Sequence, residues 1–214
     1  MRRWPAPSLV LVTDRARLRG ASLDTIASLA VSGGVNIVQL REKDLPGGDL
    51  YRTAVELHSV LRGRALLLVN ERADVALACG GDGVHLPEDG LPIKAVRDIA
   101  GESCIIGRSV HSVDAALRAE QDGADYVIAG NIFATSSKPG RPAAGIELVR
   151  AVAEAVRVPV IAIGGITPEN AGSVIEAGAD GVAVIGAIMD ADDPKEAAER
   201  LRHAIDDAYG VTPV

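Results

Sequence analysis

The chain has 214 residues, 48% of them hydrophobic, and a formal net charge of −7. That length buries one substantial core, and the acidic balance with one Trp, one Phe and three Tyr excludes a nucleic-acid surface, which needs a basic stripe and stacking aromatics. No apolar run reaches the roughly 18 residues of a membrane helix, and "MRRWPAPSLV" at the start lacks a secretory pattern, so a cytoplasmic location with no membrane partner is expected.

Taken in order, β-rich apolar runs alternate with helical spacing. "SLVLVTD" (8–14) is followed by "DTIASLAVS", "VNIVQLRE" (35–42) by "DLYRTAVELHSVL", and "ALLLVN" (65–70) by a short segment around 72–79. "GVHLP" (83–87) precedes a second short segment around 92–99, and "CIIGRSV" (104–110) precedes "SVDAALRAEQ". "YVIAGNIF" (126–133), "PVIAIGGI" (159–166) and "GVAVIGAI" (181–188) lead into "ELVRAVAEAV", "ENAGSVIEA" and "PKEAAERLRHAI". A weak repeat, "SGGVNIVQL", "CGGDGVHL", "DGADYVIAG" and "AGADGVAVI", puts glycine at a helix end just before a strand. Eight such units with nearly continuous apolar strands predict a parallel sheet covered by helices and closed into a single-domain (β/α)₈ TIM barrel over 1–214, with its core at about 8–207. No GxGxxG follows the first strand, which counts against an open dinucleotide-binding sheet. Cys79 and Cys104 lack metal-ligand spacing and read as small buried residues.

Barrel active sites lie at the C-terminal strand ends, so those ends are where chemistry is expected. In strand two Ile37, Gln39, Arg41 and Lys43 share one face. If it points inward, the mouth gains a fork-shaped and a point cation suited to an oligophosphate; the alternative is a rim salt bridge from Arg41 or Lys43 to Asp14 or Glu42. Strand three ends at Asn70, able to bond a polar ring edge, and Glu71, able to ligate Mg²⁺; Glu88 or Asp89 after strand four can add a second carboxylate. His85 fits a ligand contact or a satisfied strand histidine, the latter being the expectation. Ser109 and His111 end strand five without the order of a hydrolase triad. The loop 131–145 is rich in hydroxyls, with Thr135, Ser136, Ser137 and two cations, Lys138 and Arg141. Gly164 and Gly165 closing strand seven, with Ile185 and Gly186 closing strand eight, fit a phosphate held by backbone N–H groups. Thr167 and Pro168 read as a helix cap and first helical residue.

Together "VQLREKD", "VN" at 69–70, "GRSVH", "GADYVIAGNIFATSSK", "VIAIGGITPENA" and "AGADGVAVI" resemble the thiamine-phosphate synthase family and its sister branch, the TenI thiazole tautomerases, over nearly the whole chain. The resemblance implies a barrel that joins hydroxymethylpyrimidine diphosphate to a thiazole phosphate with Mg²⁺, acting on these small phosphorylated substrates and compatible with a homo-oligomer. It implies that Gln39, Arg41, Lys43, Asn70, Ser109 and Lys138 contact the pyrimidine diphosphate, with Arg41, Lys43, Ser109 and Lys138 catalytic. It further implies Thr135, Ser137, Gly165, Ile185 and Gly186 on the thiazole phosphate, and Glu71 and Asp89 on the metal. The chain departs from the synthase pattern at Glu71, where synthases carry Asp, and at "PEDG", which puts Gly90 at a metal-binding Asp position. It departs from the tautomerase pattern at Asn131, where that branch carries a proton-transferring histidine. The synthase is the expected activity; a tautomerase using His111 or Glu71, or a non-catalytic binder of thiamine phosphate or thiazole phosphate, are the alternatives.

Overall fold

A strand buried on both faces needs apolar side chains at every position, and the observed strands have them. The computed structural model describes residues 4–135, 140 and 142–210. Along it lie β1 (Ser8–Val12), α1 (Leu23–Ser32), β2 (Ile37–Leu40), α2 (Gly47–Leu61), β3 (Leu66–Asn70), α3 (Ala73–Ala78), β4 (Gly83–Leu86) and α4 (Ile93–Ala100). They are followed by β5 (Ile105–Val110), α5 (Val113–Gln121), β6 (Tyr126–Gly130), α6 (Ile146–Ala155), β7 (Val160–Ile163), α7 (Pro168–Glu176), β8 (Gly181–Val184), α8 (Gly186–Met189) and α9 (Pro194–Tyr209). Each strand pairs in parallel with the next, and β8 closes on β1, with Leu9 opposite Val182. This is the closed barrel expected from the eight alternations.

Side chains alternate in and out. Val10, Val12, Ile37, Leu68, Tyr126, Ile128, Ile161 and Ala183 pack inside the barrel, while Leu9, Leu11, Val38, Leu40, Leu67 and Val69 face the helices. Each fully buried aliphatic side chain contributes about 1.5–3 kcal/mol relative to exposure. At the N-terminal end of the strands Trp4 stacks on Tyr126 with ring centroids 4.3 Å apart. Gly107 makes room for that tyrosine, because a Cβ there would lie 2.0 Å from its ring.

The sequence repeat has a structural cause beyond helix termination. The residue just before β2, β4, β6 and β8 is Asn36, Asp82, Asp125 or Asp180, and each accepts from a backbone N–H of the preceding strand: Leu9 (2.9 Å), Leu67 (2.8 Å), Ile106 (2.7 Å) and Val160 (2.9 Å). These staples satisfy strand-edge donors at the end of the barrel away from the mouth. Asp180→Ala should therefore lower unfolding free energy by about 1–3 kcal/mol, the cost of an unsatisfied buried donor, while leaving kcat and KM unchanged. Denaturant unfolding beside steady-state kinetics checks this, and an altered KM would overturn the purely structural role.

One expected strand is partly helix. The composition predicts strand over the run 181–188, but β8 ends at Val184 and Gly186–Met189 forms α8. Ile188 and Met189 are buried in the core shared with α9. An apolar run reports burial, and burial is common to a strand and to one turn of covered helix. The short segments around 72–79 and 92–99 are helices α3 and α4.

Candidate active site

The parity of β2 sends Gln39 and Arg41 inward, as expected from their spacing with Ile37. They join Val12, Asp14, Asn70, His85, Ser109, Ile128, Ile163 and Ile185 around a central cavity of about 110 Å³ at the C-terminal mouth. Gln39 is 3% exposed, and its Nε2 has no hydrogen-bond partner. The guanidinium of Arg41 makes no ion pair among the described residues, and its N–H donates to Thr13 Oγ1 (2.9 Å). Thr13 in turn donates to the buried Glu42 (2.5 Å), which also accepts from the N–H of Arg15 (3.0 Å). Burial pushes the Glu42 carboxyl above its ordinary pKa, against the opposing pull of these bonds. The alternative of a rim salt bridge to Asp14 or Glu42 is not what forms: Lys43 pairs with Glu71 (3.4 Å), both about half exposed.

Glu71 also accepts from Asn70 Nδ2 (2.9 Å) and has a left-handed backbone, φ 63°, its N–H held by the carbonyl of His85 (2.9 Å). Left-handed geometry costs a non-glycine residue about 1–2 kcal/mol and is retained here by its neighbours. On the β4 loop, Glu88 pairs with His111, while Asp89 is exposed and makes no ion pair among the described residues. Arg108, 7% exposed, holds this loop by donating to the carbonyls of Pro87 (2.6 Å) and Leu91 (2.6 Å). Gly90 closes its turn with N–H on Pro87 O (3.0 Å), and a Cβ there would lie 2.9 Å from Pro87 Cδ. An aspartate at 90 does not fit this turn. Among the described residues no three His, Cys, Asp or Glu side chains gather to hold a metal. Glu71 Oε2 takes both the Asn70 amide N–H and the Lys43 ammonium, so Oε1 is the hard oxygen it would offer a cation that draws its other ligands from phosphate and water.

His85 bonds on both sides, Nε2 to Ser109 Oγ (2.8 Å) and Nδ1 to the Tyr126 hydroxyl (2.9 Å). It is the satisfied strand histidine that was expected, and it orients Ser109 toward the cavity. Burial, with the Arg108 charge adding, holds its pKa at about 3 instead of 6.5. The unfolded chain therefore takes up this proton first, so the neutral form contributes stability that is present above pH 6.5 and lost as pH falls toward 3. The stability difference between wild type and His85→Gln should shrink below pH 6.5 by up to about 1.4 kcal/mol per pH unit. Urea unfolding of both at stepped pH reads it, and a pH-independent difference would contradict the burial argument.

A second cavity of about 330 Å³ shares the Ile163 and Ile185 wall with the first and is lined by Asn131, Thr135, Gly164, Gly165, Gly186 and Asp190, among others. Gly165 is left-handed (φ 64°), its carbonyl accepting from Asn170 Nδ2 (3.0 Å). Asn170 closes a capping box with Thr167, accepting from the Thr167 N–H (2.9 Å), so the predicted cap also fixes the glycine loop. Ser136, Ser137, Lys138 and Arg141 lie outside the described residues. Sequence reasoning named Asp14 only as a rim salt-bridge partner and missed two contributors: Tyr126, at the opposite end of its strand, and Asp190, hidden beyond a turn of helix. Cys79 and Cys104 are free and buried.

The mouth thus joins two cavities, one edged by donors and the cation Arg41 and the other by glycine loops. A family model described as thiamine monophosphate synthase matches residues 9–188. The chain is 46% identical over 207 residues to the thiamine-phosphate synthase of Natronomonas pharaonis, covering 95% of each, and 42% identical over 197 residues to that of Caldanaerobacter subterraneus, covering 91% of this chain and 92% of the relative. Among solved structures, the thiamine phosphate pyrophosphorylase of Pyrococcus furiosus superposes with a TM-score of 0.86 at 40% identity, over 94% of this chain and 96% of that one. With a model match spanning most of the barrel and relatives of this identity along nearly its whole length, the chain belongs to the thiamine monophosphate synthase family.

Proposed function

We propose that the chain condenses hydroxymethylpyrimidine diphosphate with a thiazole phosphate to give thiamine phosphate and diphosphate, as a cytoplasmic biosynthetic enzyme. The observation that carries this reading is the pair of adjoining cavities, the central one holding the buried Nε2 of Gln39, which has no hydrogen-bond partner among the described residues, and the guanidinium of Arg41, which makes no ion pair among them. Donors left unpaired in a buried site are satisfied by ligand. Gln39, Asn70 and Ser109 would bond the pyrimidine, and Arg41 and Lys43, with Lys138, would bind its diphosphate. Thr135, Ser137, Gly165, Ile185 and Gly186 would hold the thiazole phosphate, the last three through backbone groups.

In the reaction the carbon–oxygen bond to diphosphate breaks with its electron pair leaving on oxygen, and the thiazole nitrogen lone pair forms the new carbon–nitrogen bond. No proton is removed in that step, so the site needs no general base. Its task is electrostatic: Arg41, in a cavity walled by Ile128, Ile163 and Ile185 where such interactions strengthen, and Lys43, in the neighbouring pocket that shares Asn70, would stabilise charge that grows on the departing diphosphate. Glu71 and Asp89 would hold a Mg²⁺ ion whose charge offsets that of the leaving group. Asn131, 5% exposed beside the second cavity, has no titratable proton in the physiological range and so cannot serve a tautomerase as its acid or base.

The test is turnover of purified protein with both substrates and Mg²⁺, following thiamine phosphate and diphosphate together. Equal appearance of the two, abolished by a chelator, is expected. Folded protein that binds thiazole phosphate and forms no product would sink the synthase reading.

A further inference from the structure

Among the described residues lining the second cavity, Asp190 is the one ionisable side chain. A carboxylate is an unexpected wall for a pocket that takes a phosphate dianion, since like charges a few ångströms apart repel strongly outside bulk water. The β1–α1 loop supplies the compensation. Arg17 Nη1 pairs with Asp190 Oδ2, and Arg17 Nε donates to Asp14 Oδ2 (3.1 Å). A Cβ on Gly186 would lie 3.3 Å from Arg17 Nη1 and 2.7 Å from Asp190 Oδ2, so this ion pair rests directly on the glycine that opens α8. The arginine side chain is 20% exposed and the aspartate 36%, so the pair is partly buried and screened less than a fully exposed one. Its neighbours in "RARLR" turn elsewhere, Arg15 to Asp44 and Glu42, and Arg19 to Asp192 at 3.9 Å.

We propose that Arg17 is a specificity-determining residue for the phosphate of the thiazole substrate: its pairing with Asp190 cancels the negative charge on the cavity wall and lets a phosphate dianion approach Gly186. The proposal rests on reading the second cavity as the phosphate half of the site. Arg17 acts through Asp190, so its signature is a charge balance that removing both partners restores. A brace of loop geometry would behave differently, because deleting the second partner would not repair the loss of the first.

The experiment compares wild type, Arg17→Gln, Asp190→Asn and the double variant. Arg17→Gln should raise KM for thiazole phosphate about tenfold, equivalent to about 1.4 kcal/mol, and raise KM for pyrimidine diphosphate by less, since Arg17 also pairs with Asp14 on the central cavity. The double variant should return to near the wild-type value, and Asp190→Asn alone should bind thiazole phosphate at least as well as wild type. An unchanged KM for thiazole phosphate in Arg17→Gln, a rise confined to pyrimidine diphosphate, or a double variant as poor as Arg17→Gln would each overturn the proposal. Titrating inorganic phosphate by calorimetry gives the same comparison without turnover. Phosphate binding with this pattern in a protein that makes no thiamine phosphate would remove the synthase reading and keep the proposal. Turnover indifferent to Arg17 would do the reverse.

Discussion

Arg41→Met should lower kcat/KM for the pyrimidine diphosphate by about two orders of magnitude, roughly 2.7 kcal/mol, while changing thermal stability little. Both halves follow from the same geometry. The guanidinium lines the central cavity and makes no ion pair among the described residues, so removing it breaks no protein bond; the Arg41 contact that ties β2 to β1 is its backbone N–H on Thr13, which methionine keeps. A charge-assisted bond to a ligand contributes about 1.5–3 kcal/mol, and a fork gripping two oxygens belongs at the upper end. Lys43→Ala should cost less, because that ammonium is 53% exposed and already shared with Glu71. Steady-state kinetics at varied diphosphate substrate with thiazole phosphate saturating reads the loss. A variant within threefold of wild type would take Arg41 out of the site.

Gly165→Ala should cost about as much, by another route and on the other substrate. Gly165 has φ 64°, and a Cβ there would lie 2.4 Å from Ala134 O and 2.8 Å from Phe133 Cβ, in the segment that leads to Thr135. Neither is the flexible end of a long side chain, so the loops after β6 and β7 must move apart, and the second cavity lies between them. Displacing reacting groups by about 1 Å can cost roughly 100-fold in rate, which is the expected fall in kcat/KM for thiazole phosphate. The left-handed geometry adds about 1–2 kcal/mol of destabilisation, visible as a lower melting temperature. Near-native kinetics with thiazole phosphate would mean that the glycine is needed for its turn alone.

The fold was legible because its signals are local. Each apolar run is long enough for one strand, each following segment carries helical spacing, and the glycine before every second strand marks where a helix stops. The same locality explains the misreading at 185–188, where burial against α9 makes a helical turn as apolar as a strand. The strand-end rule reached Gln39, Arg41, Asn70, Ser109, Gly165, Ile185 and Gly186, which the structure gathers around the two adjoining cavities. Parity decides which side chains of a strand face the barrel axis, and parity can be counted along a sequence.

What the linear chain determined, then, is the barrel, the inward face of β2 and the end of the molecule where chemistry sits. Only the tertiary structure decided the pairings. Lys43 met Glu71 instead of Asp14 or Glu42, Thr13 took the buried carboxylate of Glu42, His85 bridged Tyr126 and Ser109, and Arg17 crossed 173 positions to Asp190. The Asn or Asp before each even strand went unread beside the glycines, because its donors belong to other segments of chain. Ion pairs and hydrogen bonds between loops depend on distances set by barrel closure. Periodicity records how a residue stands relative to its own element, whereas these contacts record which elements closure makes neighbours.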